Sequence, residues 1–485
     1  MTSSVTIPGT AGPGTTGFFI PKPRGKKSSV HRAALALVWL TVASSFLVFS
    51  EPAPVDLLSI ALFVLLPVLG LTDAKPALIG GFAVWLVIGA FGFLSAAVAT
   101  DTAEATQHMA VSLYLSGTCF AFALFVAKRP EAHTRLVLNG YLTAAVLASI
   151  LGIVGYLDLF PGAFDMLTRY GRATSTFKDP NVFGPFLIAG LMMALHLWLV
   201  RPLSRGLLPL AAAALITVAI LFTFSRGAWV ATAIALGIYG YVHMITAERN
   251  LDRIKLAALV ICGAAVLGLI LAAALQSDGV ARLLEERATL EQPYDQGVEG
   301  RFGGQEKAVQ LILENPLGIG ARDFTRYYHH EEAHNVYLSM MMNAGWPGGL
   351  LYLIICAATL GLGLQHAFKK TKTQPLFLIV FAALASQILQ GALIDSDHWR
   401  HFYLLMGIVW GLMAADRRIV RKARIVRDVR PVLLNRMLMI PPSKRGVRIT
   451  GRVPFWIAAS AARRVSLAGP RGHRTRSSRI LAAFR

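Results

Sequence analysis

Three short polar runs interrupt an otherwise apolar chain, and each carries a residue able to do chemistry: RATSTFKDPN (residues 172–181), FSRGA (224–228) and HNVYL (334–338). Arg172 and Arg226 supply planar guanidinium forks, which donate paired hydrogen bonds and stay charged at any working pH, so they suit a phosphate or diphosphate. Two such forks on different helices can clamp both phosphates and stabilise the charge that grows as a bond to diphosphate breaks. The leaving group is then a weak base and needs little help from an acid. What the step still needs is a group to take the proton of an attacking hydroxyl. Histidine as a residue type suits that task, and His334 is the candidate, with Asn335 beside it to fix the ring or a substrate hydroxyl. Asn181 closes the first run and is a further polar candidate.

The elements that must position these residues are membrane helices. Hydrophobic residues make up 55% and charged ones 15% of 485 positions, which excludes a string of ordinary water-soluble domains. The expected fold class is all-α, a polytopic membrane bundle. Apolar runs near 33–50, 55–72, 76–99, 109–127, 136–158, 182–200, 207–224, 228–246, 256–275, 346–364, 375–393 and 402–415 predict about twelve spans. Lys and Arg mark cytoplasmic loops. KRPEAHTR (128–135), RPLSRG (201–206), AERNLDRIK (247–255) and HAFKKTKTQ (366–374) alternate with EPAP (51–54), TDTAEATQH (100–108) and the long segment 276–345. Both termini are therefore expected inside, and the three polar runs share the opposite face.

The formal charge of +21 belongs to the ends of the chain: residues 1–32 hold five basic and no acidic residues, and 416–485 hold nineteen against two. The domain reading follows: a basic cytoplasmic N-terminal tail (1–32), a transmembrane domain (33–415) and a basic cytoplasmic C-terminal tail (416–485). The tails are expected against anionic membrane lipids. Nucleic acid is not an expected partner, because no recognition fold accompanies the charge. Cys119, Cys262 and Cys356 fall inside predicted spans and are expected to be core packing residues rather than a disulfide framework. The first span reads as a signal anchor.

The outward segments hold the distinctive chemistry. Arg169, Arg172 and Lys178 lie where the positive-inside tendency disfavours cations. Arg226 joins two apolar runs so tightly that it must lie at or just below the membrane surface, at an insertion cost of about 2.5 to 3.5 kcal/mol. Snorkelling to headgroups is its bland reading. RFGGQEKAVQLILENP, with Phe302, Val309, Ile312 and Leu313 at partial helical spacing, predicts an amphipathic helix over the membrane mouth. It is a lid candidate, and a static packing helix is the alternative.

Rival chemistries are visible. HEEAH (330–334) satisfies the zinc-protease signature H-E-x-x-H, which requires a helix and a third ligand. Asp395 and Asp397 in DSDHWRH resemble a divalent-cation D-x-D, in a tripeptide too short to be specific. Asp395 and Arg400 could line the site or merely cap helices. A transporter or lipid-glycan flippase should show inverted repeats or interrupted helices in two halves, and neither is found.

The ordered set RATSTFKDPN, FSRGA, RFGGQEKAVQLILENPLGIGARDF and AHNVYLSMMMNAGWPGG resembles the O-antigen ligase and O-antigen polymerase family of bacterial envelope glycosyltransferases, over a signature region of about 160–350. The resemblance implies a metal-independent, inverting transferase without cofactors, in the bacterial inner membrane with its active site facing the periplasm. Its donor would be a glycan on undecaprenyl diphosphate, and its acceptor lipid A core or another glycan. Arg172 and Arg226 match the family's diphosphate-contacting arginines, Arg301 a further recurring arginine, and His334 its essential histidine. Asn335, Asn181 and Arg400 are secondary candidates for substrate contact, and no metal ligand is expected. Ser175 stands where the family often has glycine, and Asn343 where an acidic residue is common.

Overall fold

The computed structural model describes residues 29–274, 297 and 300–416. Nearly all of both basic tails, and residues 275–299 of the outward segment apart from 297, lie outside them. The chain runs through α1 (Ser29–Ala43), α2 (Pro54–Val68), α3 (Pro76–Val98), α4 (Thr102–Lys128), α5 (Pro130–Tyr156), the short α6 (Ala163–Leu167), the hairpin of β1 (Thr168–Arg169) and β2 (Arg172–Ala173), and α7 (Pro180–Val200). It continues through α8 (Leu203–Phe222), α9 (Arg226–Thr246), α10 (Asn250–Ala274), α11 (Arg301–Glu314), a π turn (Phe324–Tyr328), α12 (Val336–Ala367), α13 (Gln374–Gln390) and α14 (400–416).

Among the described residues seven helices, α3, α4, α5, α7, α8, α9 and α12, are long and apolar enough to cross a membrane. Shorter apolar helices, α1, α2 and α13, accompany them with 15, 15 and 17 residues. With α10 and α14, a described helix falls on each of the twelve apolar runs. The molecule is a helical membrane bundle.

Of the seven long apolar helices α7 is the most buried. In α7, 89% of the apolar window is buried, because α5, α8, α9 and α13 pack around it. Small residues set the spacing: a Cβ on Gly190 would lie 2.3 Å from that of Ala145 on α5, so the backbones meet almost directly. Outer helices keep apolar side chains on their free faces, among them Leu207, Leu208, Val230 and Leu236. Cys119 and Cys356 are buried as expected, but Cys262 is exposed. It lies on the outer side of α10, where lipid rather than protein satisfies an apolar side chain.

Two parts of the outward segment differ from expectation. His334 and Asn335 stay in the loop beside the span, but the helix begins at Val336, ahead of the apolar run at 346, and α12 continues across Gly345 at φ 63° and ψ −177°. Only glycine fits there, since a Cβ would come within 2.7 Å of Pro316 O and Leu317 C. The turn after α11 thus locks into the break: Ile319 N donates to Met342 O at 2.9 Å and Trp346 N to Pro316 O at 2.9 Å. Second, α11 forms where expected but buries Gly304, Ala308 and Leu311, while Phe302, Val309 and Leu313 are exposed. Gly304 lets the His329 ring approach, Ala308 and Leu311 join a buried cluster with Phe324 and Met342, and Phe302, Val309 and Leu313 face away from it.

Candidate active site

The expected outward loops are tied to one another at one end of the bundle. Glu51 pairs with Lys178 at 2.9 Å, Thr100 N donates to Asp323 at 2.7 Å, Arg326 reaches Asp101 at 2.6 Å, and His108 meets Asp397 at 3.1 Å. Two of the basic loops meet elsewhere, where Lys255 donates to Leu199 O and Arg201 O. These contacts join outward-read loops to one another and one basic loop to another.

Arg172 is placed by the hairpin β1–β2, whose Tyr170 and Gly171 both have positive φ, 55° and 67°, the turn that matches strand twist. Its Nε donates to Thr223 O at 2.7 Å and its Nη2 to Asn181 Oδ1 at 2.9 Å. The same Asn181 oxygen accepts the Ser225 hydroxyl at 2.7 Å. Ser225 in turn caps α9, accepting from Ala228 N at 3.3 Å, so Arg226 occupies the first turn of that helix. Asn181 therefore holds the Arg172 segment to the FSRGA turn. Its carbonyl oxygen is spent on positioning.

Arg301 opens α11 and bonds the carbonyls of His334, at 3.4 Å, and Leu393. His334 is half-buried, has φ 50°, and sets its Nε2 3.3 Å from Glu331. Asn335 is the N-cap of α12, its Oδ1 accepting from Tyr337 N at 3.1 Å and Leu338 N at 3.4 Å. The two groups flank the end of α13. On one side Gly227 abuts the Gln390 amide, 3.0 Å from where a Cβ would stand; on the other, Val336 N donates to Gly391 O at 2.9 Å.

Among the described residues six non-glycine residues have positive φ, and one falls in each motif: Ser175 (55°), Phe224 (43°) and His334 (50°). A left-handed backbone at an ordinary residue costs on the order of 1–3 kcal/mol and persists only where surroundings enforce it. The Ser175 angle explains why glycine suits that position. Residues 329–335, including HEEAH, are not helical, so the spacing that would aim two histidines at one zinc is missing.

Beside this cluster lies a cavity of about 290 Å3, lined in part by Lys178, Ser339, Asn343, Asp395 and Arg400. Arg172, Arg226, Arg301 and His334 are not among its lining residues. Arg400 is clamped by Asp56, Nε to Oδ1 at 2.7 Å and Nη2 to Oδ2 at 2.8 Å. Asp56 had a signal in the sequence, as the lone acidic residue of its apolar run, but no partner for it could be named. Asp395 hydrogen-bonds Ser339, and among the described residues its Oδ2 has no partner. Burial pushes its carboxyl up to about 7, against the Ser339 bond. Glu51 is held below the usual carboxylate range by the hydrogen bond from Lys178.

Residues 211–353 match a family model described as O-antigen ligase. That segment belongs to the O-antigen ligase family. It runs from within α8 into the second half of α12 and holds Arg226, Arg301, His334 and Asn335, leaving Arg172, Asn181 and Arg400 outside. The match indicates a membrane enzyme of O-antigen ligase or polymerase type, whose substrates are in general a lipid-linked glycan donor and an acceptor. No curated protein matches the chain.

Proposed function

We propose that this chain is an inverting, metal-independent glycosyltransferase of the bacterial inner membrane, transferring a glycan from undecaprenyl diphosphate to an acceptor hydroxyl on the periplasmic side. Arg172 and Arg226 hold the donor diphosphate, and Arg301 reaches it from α11. His334 takes the hydroxyl proton as the acceptor oxygen bonds the anomeric carbon and the bond from that carbon to the diphosphate oxygen breaks. The electron pair leaves with undecaprenyl diphosphate. A phosphate binds a guanidinium more strongly than a neutral carbonyl does, so a diphosphate can displace the carbonyl bonds that hold Arg172. The observation that carries this reading is the convergence of three motifs, far apart in sequence, on the end of α13, within the reach of the family match and its flank.

Asp395 is the second candidate for the proton, favoured by its unpartnered oxygen on the cavity and a carboxyl poised near neutrality. Purified His334→Gln and Asp395→Asn chains, assayed for transfer and for donor binding, separate the two: the base variant binds donor and does not turn over. A chain whose His334→Gln variant turns over normally is not using this mechanism.

The acceptor in this reading is lipid A core, making the enzyme a ligase. A polymerase would use the same donor chemistry on another lipid-linked glycan, and a transporter would move the donor unchanged. Deleting the gene and profiling envelope glycans distinguishes them. Long polymer left on its carrier marks a ligase, single repeats on core mark a polymerase, and assembled donor retained on the cytoplasmic face marks a transporter.

A further inference from the structure

The DSDHWRH run divides in the structure. Asp395 turns to Ser339, while Asp397 and His398 face His108 of α4. His108 Nε2 lies 3.1 Å from Asp397 Oδ2, and the rings of His108 and His398 stack at 3.9 Å between centroids. One ligand-capable atom from each of the three residues falls within 4.8 Å of the others. All three residues line the cavity.

From this geometry we propose that His108, Asp397 and His398 form a divalent cation site, with zinc the preferred ion, on the cavity wall. Two imidazoles and one carboxylate are the donor set that zinc accepts in sites with three protein ligands, the fourth position being left to water or a hydroxyl. That fourth position opens onto the cavity, which also gives the ion its way in. An outer partner is in place, because Ser112 Oγ lies 2.9 Å from His398 Nε2 and fixes that ring. Arg322, the nearest competing cation, is engaged by Glu332 at 2.7 Å.

Metal binding takes neutral imidazole nitrogens and an ionised carboxylate, and burial favours the neutral form of His398. Two rings on one tetrahedral zinc have centroids roughly 5 Å apart, so binding parts this stack by about 1 Å. The ion replaces a ring stack and one hydrogen bond by three metal bonds, and it pins α4 to the segment between α13 and α14. The proposal is independent of the glycosyl-transfer reading, and no step of that reaction passes through the ion.

The test uses the full chain in detergent, stripped with a chelator and dialysed. Zn2+ binding is counted by elemental analysis, and Co2+ is added as a spectroscopic probe. The expected result is one zinc per chain, a Co2+ absorption typical of nitrogen and oxygen ligands, and a melting temperature that rises with zinc. His108→Gln and His398→Gln should each weaken binding more than tenfold, while His330→Gln, in the surface histidine pair, should not. The metal-free melting temperature shows whether each variant is folded. If a variant does not fold, the wild-type stoichiometry and the other variant decide. No zinc retained by the wild-type chain, or equal binding in folded His108→Gln and His398→Gln variants, overturns the proposal, whatever the transfer assay gives.

Discussion

Arg172 and Arg400 sit at the same end of the bundle, yet they are held in opposite ways. Arg172 bonds neutral oxygens, those of Thr223 and Asn181, and Arg301 does the same with His334 and Leu393. Arg400 meets both oxygens of Asp56, Lys178 meets Glu51, and Arg322 meets Glu332. Hydrogen bonds to carbonyls orient a guanidinium without cancelling its charge, whereas a carboxylate does both. The first set of bonds ties Arg172 to the FSRGA turn and Arg301 to the His334 segment; the second closes the cavity wall on itself. Arg400, a sequence candidate for substrate contact, belongs by its partners to the second.

The sharpest way to break the comparison is to remove its reactive member. His334→Gln should lower turnover about 10^2- to 10^4-fold, the usual contribution of a general base, with donor binding kept. Next come Arg172→Ala and Arg226→Ala, expected to reduce kcat/KM about 10^2- to 10^3-fold, with Arg172→Lys intermediate because an ammonium keeps charge but not the fork. On the cavity wall the effect moves from activity to stability. Asp56→Ala leaves Arg400 facing an empty partner and should cost about 2–3 kcal/mol, below the fully buried value because the Arg400 side chain keeps 28% exposure; a melting curve reads it.

The pH dependence sharpens the same contrast. The folded Asp395 carboxyl sits at about 7, above its unfolded value near 4, so the folded state favours the protonated form. Its stabilising contribution is complete below about 4 and is lost as pH rises through about 7. Melting temperatures from pH 5 to 8 should fall more in the wild-type chain than in Asp395→Asn. Smallest is Asn335→Ala, expected to cost about 1 kcal/mol of stability by uncapping α12, with Asn335→Ser recovering most of it.

Much of the architecture was legible because its signals are local. Twelve apolar runs became twelve described helices, and the loop contacts described above join outward-read loops to one another and a basic loop to a basic loop. Arg172 and Arg226 stood out for a similar reason, as cations where the membrane disfavours them, His334 stood out by its chemistry in an outward loop, and Arg301 came from the family resemblance. What stayed hidden depends on partners distant in sequence. Asn181 and Asn335 read as substrate contacts, but one joins Arg172 to Ser225 and the other caps a helix. Helical spacing predicted α11 from Phe302, Val309, Ile312 and Leu313, but not that Gly304 would admit the His329 ring or that Ala308 would join a buried cluster with Met342. Asp56 could not be paired with Arg400 across 344 residues.

The central claim, that the Arg172 and Arg226 cluster rather than the Arg400 wall receives the diphosphate, is tested most directly by titrating undecaprenyl diphosphate into the purified chain. The comparison is between an Arg172→Ala/Arg226→Ala variant and an Asp56→Asn/Arg400→Gln variant, which removes both members of the buried pair. The account predicts that the first loses binding by more than about 100-fold, two charge-assisted contacts at roughly 1.5 kcal/mol or more each, while the second stays within a few-fold of wild type. Loss of binding in the second with retention in the first would contradict it.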